Sequence, residues 1–212
     1  MTRPAPCQSD GDGVTRDLTF ACTCGAVTGT LRRITPRSGG QLRCHCRDCR
    51  GAQIWLGQPD PDPDGVCYYQ TTPDRIVLAT GQDRLGALKW KKGRLVRWYA
   101  TCCGAPLVNT LDSAKWPFAS LDAARLTDPD ALTDTIGPCR AYAFRPAPDG
   151  KTTTKGMFGF ILGFLGRTAS ARLSGRWRET PFFDGDGHPA AEVRQLTEDD
   201  RAIAHRPPSS DP

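Results

Sequence analysis

The chain has 212 residues, 38% hydrophobic and 24% charged, with a formal charge of +5. That length is enough for a domain with a real core, and that balance excludes both a disordered chain and a membrane-spanning one. The charge favours small anionic ligands but is too weak to argue for nucleic acid.

With 22 Gly and 18 Pro the chain is turn-rich, which favours many short strands over a few long helices. Met1 to Arg16 is polar and reads as a loose arm. Strand-like segments follow at Asp17–Cys22, Val27–Arg32, Gln41–Cys44 and Ile54–Leu56. Pro59 to Asp64 (PDPDPD) opposes regular structure, because proline lacks the N–H and fixes φ, and it reads as a solvated surface turn. Further strands are expected at Arg75–Ala79, Leu85–Trp90, Leu95–Ala100 and Pro106–Asn109, with Lys91-Lys92-Gly93 as a hairpin turn. No sustained helical periodicity is visible as far as Thr110. Strands at Phe118–Leu121 and Ala141–Phe144 and a short helix around Asp128–Thr133 complete that region.

Gly156 to Gly175 reads as a helix. Phe158, Ile161, Leu162, Leu165, Ala169 and Leu173 recur at three- and four-residue steps. Gly156, Gly159, Gly163 and Gly166 fall on the other side of the wheel, which predicts another backbone packed close against them. The run Met157–Leu165 is too short to span a bilayer, so the expected role is a buried helix or the contact of a homodimer, not a membrane. Arg167, Arg172, Arg176 and Arg178 read as a solvated face, with an anionic ligand as the alternative. From Thr197 the chain is charged and then proline-rich, and reads as a frayed tail.

Ten cysteines carry most of the information: Cys7, Cys22, Cys24, Cys44, Cys46, Cys49, Cys67, Cys102, Cys103 and Cys139. The start has no apolar export stretch, so a reducing cytoplasm is the expected compartment. Cysteines one to three residues apart suit metal chelation better than strained disulfides. Zinc takes four thiolate or imidazole ligands in a tetrahedron, and glycine relieves the crowding where tight turns bring thiolates together. Cys22-Thr23-Cys24-Gly25 and Cys102-Cys103-Gly104 have that form. Cys44-His45-Cys46-Arg47-Asp48-Cys49 supplies three thiolates and no evident fourth ligand, the pattern of a zinc site with an open position. His45 is expected to hydrogen-bond and not to ligate.

The order C-x-C-G, then C-x-C-x-x-C, then Tyr99-Ala100-Thr101-Cys102-Cys103-Gly104-Ala105-Pro106-Leu107 resembles the glutathione-dependent formaldehyde-activating enzyme (centromere protein V) family over residues 20–107. The resemblance implies a mainly β, β-tent (Mss4-like) fold with two zincs. One would be structural, held by the first and third motifs. The other would be catalytic, held by Cys44, Cys46 and Cys49, with glutathione as the small-thiol partner and formaldehyde as co-substrate. Together with the polar start, the C-terminal helical pattern and the charged end, this gives an expected division into an arm (1–16), a zinc domain (17–145), a helical extension (146–196) and a tail (197–212).

One position departs from the family pattern. Aligning Cys103-Gly104 puts Ala100 where the third motif's first cysteine belongs and leaves Cys102 out of register. Adjacent residues of extended chain point to opposite faces, so the firm ligands there are Cys22, Cys24 and Cys103. Cys102 serves as the fourth only if a tight turn replaces the strand; Cys67 and Cys139 are the other candidates. The expected activity is a carbon–sulfur lyase at the three-cysteine zinc. The alternative is a non-catalytic, zinc-stabilised binding or scaffold protein.

Overall fold

The computed structural model describes residues 15–205. The arm over Met1–Val14, with Cys7, and the proline-rich end from Arg206 lie outside the described residues. In chain order the elements are β1 (Arg16–Ala21), β2 (Thr28–Ile34), β3 (Gly40–Cys44), α1 (Arg47–Trp55), β4 (Val66–Thr71), β5 (Ile76–Thr80), β6 (Leu85–Trp90), β7 (Leu95–Ala100) and β8 (Pro106–Leu111). There follow β9 (Ala119–Asp122), α2 (Pro129–Ile136), β10 (Ala141–Pro146), β11 (Thr152–Lys155), α3 (Met157–Leu173), β12 (Val193–Leu196) and α4 (Glu198–Ala204). The protein is mainly β.

The strands form two sheets. The smaller has the order β1-β2-β5, and the larger runs β11-β10-β3-β4-β9-β8-β7-β6-β12. Pairing is antiparallel except where β10 joins β3 and β12 joins β6. Alternation along each strand supplies the shared core: Leu18, Phe20, Leu31, Ile34, Ile76 and Leu78 come from the small sheet, and Tyr69, Val96, Trp98, Leu107 and Leu121 from the large one. Gly29 pairs with Phe20 across β1 and β2, and a Cβ there would collide with the Phe20 ring, so only glycine lets that ring lie over β2. Phe182 and Phe183 from the C-terminal third enter the same core beside Trp98, at 5.2 and 6.1 Å between ring centroids. The far face of the large sheet buries Leu88, Trp90 and Leu196 against Ala52 and Leu56 of α1's end and Ala204 of α4.

Four expectations are corrected. Ile54–Leu56 is not a strand but the C-terminal turn of α1 and its cap. The buried face of that helix is Cys49, Gly51, Ala52 and Gln53, small and polar residues that leave no hydrophobic period to read. β4 was not expected at all. It is central in the sheet and buried at Val66 and from Tyr68 to Thr71, so it shows no alternation. The segment from Thr197 is not frayed as far as it is described, because Thr197 and Asp200 form a reciprocal capping box that starts α4.

The fourth correction concerns α3. Its apolar stripe is turned outward: Phe158 is 84% exposed, Leu173 90%, and Ile161, Leu162 and Leu165 are also exposed. Thr168 and Ala171 are its buried residues. Backbone does approach at Gly156, whose added Cβ would strike the Arg140 carbonyl, but beside Gly159 and Gly166 there is open space.

Candidate metal centre

The first cysteine group draws on one turn from each sheet, β1–β2 of the smaller and β7–β8 of the larger. After β1 the chain turns back through Cys22–Val27, closed by Cys22 N–H to Val27 O at 2.9 Å and Gly25 N–H to Cys22 O at 3.0 Å. Between β7 and β8 a second turn forms as the Gly104 N–H donates to Ala100 O at 2.8 Å. That turn replaces the extended chain on which Cys102 and Cys103 would diverge. As a result the sulfurs of Cys22, Cys24, Cys102 and Cys103 all lie within 4.8 Å of one another. Cys24–Cys102 is 3.3 Å, Cys22–Cys24 3.6 Å and Cys22–Cys102 3.9 Å. Ala100 does not join them; it is fully buried in the core, and its backbone bonds hold the turn.

Proton affinities in this group are divided among neighbours. Burial raises the Cys22 thiol, but the Val27 N–H and the surrounding thiols together bring it down to about 7. Cys102 is pushed up to about 12, chiefly by its contact with Cys24. Cys103 is lowered: burial acts against it, and the backbone N–H groups of Cys24 and Ala105 outweigh it.

The second group is built at a strand-to-helix junction. Cys44 ends β3, held between β4 (opposite Val66) and β10 (opposite Ala143). Cys46 is the N-cap of α1 and its sulfur accepts the Cys49 N–H at 3.4 Å, an arrangement that favours a thiolate at a helix start. The three sulfurs lie within 4.8 Å of one another. Donation from Cys44 and then Cys49 pulls the Cys46 thiol down to about 2, while Cys46 holds Cys44 up at about 11. Cys49 is pushed well above its usual value by Cys44 and Cys46, and by its burial. The trio thus ionises easily once, and full deprotonation requires a positive charge among the sulfurs.

Beside Cys46 opens a cavity of about 670 Å³, with His45, Asp48, Phe144, Arg201 and His205 in its wall. Asp48 Oδ1 lies 2.8 Å from Arg201 and 3.0 Å from His205 Nε2, both from the α4 end of the chain. Burial lowers the pKa of His205, so the imidazole is neutral near pH 7. These wall residues were missed in the sequence, because Arg201 and His205 fall in the stretch read as a tail. His45 is not grouped with the three sulfurs, and both its ring nitrogens are buried without the hydrogen-bond partner expected of them.

Cys67 and Cys139 contribute to neither group. Their thiols influence each other most: Cys139 raises Cys67, and Cys67 lowers Cys139 to about 7. A third cluster, Asp184, Asp186 and His188, is exposed, and Asp184 Oδ1 accepts the backbone N–H groups of the other two as a simple turn would.

A family model matches residues 14–194. The chain belongs to DUF6151, a family of unknown function. Among curated proteins nothing matches this DUF6151 member. A solved structure of a Rhodobacter sphaeroides protein is similar at 15% identity and a TM-score of 0.40, over 59% of this chain and 99% of that one. The likeness to formaldehyde-activating enzymes therefore rests on the three cysteine motifs alone. Both cysteine groups have the donor set of a metal site, and among the described residues no helix of this DUF6151 protein is long and apolar enough to cross a membrane.

Proposed function

We propose that the protein binds two zinc ions with different roles and handles a small thiol at one of them. The carrying observation is the division of seven sulfurs into a four and a three. A tetrahedron of sulfurs about 2.3 Å from a central zinc has edges of about 3.8 Å; Cys22, Cys24 and Cys102 are 3.3, 3.6 and 3.9 Å apart, and Cys103 is within 4.8 Å of each. Cys22, Cys24, Cys102 and Cys103 would hold a closed, structural ion. Cys44, Cys46 and Cys49 would hold a second one with a position left for a ligand from the adjoining cavity. When bound, zinc there supplies Lewis acidity that lowers the proton affinity of an entering thiol.

The chain's own residues then shape what enters. Arg47 on the cavity wall favours a carboxylate such as glutathione carries, while Arg201 is already held by Asp48 and Glu198 shares the wall. Phe144 supplies an apolar surface, and the Asp48–Arg201–His205 cluster fixes the polar wall. The reaction this reading implies is addition of the thiol sulfur to formaldehyde carbon. One C–S bond forms, and the thiol proton ends on the former carbonyl oxygen.

Cobalt substitution tests the reading. Glutathione should intensify the thiolate-to-cobalt bands of the parent protein, S-methylglutathione should not, and Cys46→Ser should weaken the response. If glutathione leaves the spectrum unchanged, the three-cysteine site takes no thiol. The protein is then a zinc-stabilised binding or scaffold protein.

A further inference from the structure

On the side of the molecule carrying α3 lies a second cavity, of about 560 Å³, within the range of small-molecule sites. Arg37, Arg75, Arg167 and Arg176 line it, and among the described residues no carboxylate does. The nearest acid, Asp74, has a fully buried side chain and pairs with Arg176 at 2.8 Å. Arg37 makes the opposite contribution: it is exposed at the rim.

The partners of these arginines leave donors unused. Arg75 spends one terminal nitrogen on the Arg33 carbonyl at 2.6 Å. Arg167 donates one to Gln70 Oε1, while its Nε is buried with no partner at all. A buried guanidinium N–H without an acceptor is costly. Burial is also the main reason the pKa of Arg167 is depressed, with Tyr69 opposing and Arg75 adding to the depression. Like charges held this close gain most from an anion placed among them.

The same lining includes the glycines of α3, the helix that also carries Arg167. Gly159, Gly163 and Gly166 face this cavity, and at Gly159 and Gly166 an added Cβ would meet nothing within 4 Å. Three glycines in one helix cost stability, about 1 kcal/mol each relative to alanine, and here no neighbouring backbone packs on Gly159 or Gly166 to justify them. What they do is keep the space in front of the arginines empty.

We propose that this cavity is a binding site for a phosphorylated small molecule, with Arg37, Arg75, Arg167 and Arg176 as its anion receptors and the glycine face of α3 as its floor. Planar guanidinium forks match the paired oxygens of a phosphoryl group and carry enough charge to neutralise two or more negative charges. The proposal is independent of the metal reading above.

The test is titration calorimetry of the metal-loaded protein with inorganic pyrophosphate as the probe and succinate as a dicarboxylate control. Pyrophosphate should bind one per chain, at least tenfold tighter than succinate, and more weakly as ionic strength rises. Arg167→Gln and Arg37→Gln should each weaken it about tenfold or more. Gly166→Leu keeps every arginine and fills open space with a better helix former, so the fold should melt no lower while binding is lost. Pyrophosphate binding that survives Gly166→Leu would place the anion elsewhere, on the open metal position or on diffuse surface charge, and overturn the proposal. Equal affinity for succinate would overturn the phosphoryl assignment, and no binding to the folded parent protein would overturn the site itself.

Discussion

Two glycines follow a cysteine in the four-cysteine group, and their different surroundings give a sharp prediction. Gly25 and Gly104 have φ of +76° and +68°, left-handed values that cost an alanine about 1–2 kcal/mol. At Gly25 an added Cβ meets nothing within 4 Å, so Gly25→Ala should cost that strain alone. At Gly104 the Cβ would sit on the Leu56 carbonyl oxygen, far inside van der Waals contact and against backbone, which cannot swing away. Overpacking of that kind adds about 1–3 kcal/mol. With about 2–4 °C of melting temperature per kcal/mol in a domain of this size, Gly25→Ala should lower Tm by about 2–8 °C. Gly104→Ala should lower it by roughly twice as much. Leu56 caps α1, which begins with Cys46 and Cys49, and Gln58 Nε2 bridges Leu56 O and Cys103 O. Gly104→Ala should therefore also disturb the cobalt spectrum of the three-cysteine group, whereas Gly25→Ala should not. Thermal melts and cobalt spectra of the two variants decide it. Equal Tm losses, or a larger loss for Gly25→Ala, would refute the argument.

Three further outcomes are expected. Cys102→Ala and Cys103→Ala should lower thermal stability to a similar degree, since both sulfurs lie in the one group; a loss confined to Cys103→Ala in melting curves would restore the register read from the sequence. Asp122 is buried and its pKa raised by that burial, against Gln53 and the Ala124 N–H. Its folded state holds the proton more tightly than the unfolded chain, so its contribution to stability is full below about pH 3.9 and falls as pH rises through the folded value. Asp122→Asn, with the Gln53 amide reversed to accept, should lack that decline and gain on the parent as pH rises above about 3.9; parallel pH–stability curves would contradict this. A chain ending at Pro146 should fail to unfold cooperatively, because it strips Phe182 and Phe183 from Trp98 and leaves β6 without β12; a sharp calorimetric transition would show that the first 146 residues stand alone.

Strands with alternating burial were legible in the sequence. β1 is the clear case, with one face on the core and a period of two, whereas β6 and β7 are buried on both faces and were found from their branched and aromatic residues between turn signals. What failed was wherever burial was uniform or made by small residues. β4 is buried along nearly its whole length, and α1 hides a face of Cys49, Gly51, Ala52 and Gln53, so neither prints a period. For α3 the period was real, but of the two roles expected of it, a buried helix or a homodimer contact, the exposed stripe overturns the first. Periodicity says that two faces differ, not which of them points inward, and here the apolar one is exposed.

The cysteine groups show the same split between local pattern and long-range placement. Spacing found the members of each group, because ligands close in sequence are close in space. The wall around the three-cysteine group came from Arg201 and His205, about 150 residues away in the chain, and no local pattern could tie them to Asp48. Placement, in turn, argues for the proposed division of roles. The four-cysteine group joins the β1–β2 turn of the small sheet to the β7–β8 turn of the large one. An ion there would close a loop of about 80 residues, a cross-link whose effect falls on the unfolded chain and so on stability. The three-cysteine group spans only residues 44–49 and closes almost nothing, yet it borders a cavity and sits at a helix start where thiolates are favoured. A cross-link that short adds little to stability, so the thiolate chemistry facing the cavity is what remains to account for that cluster.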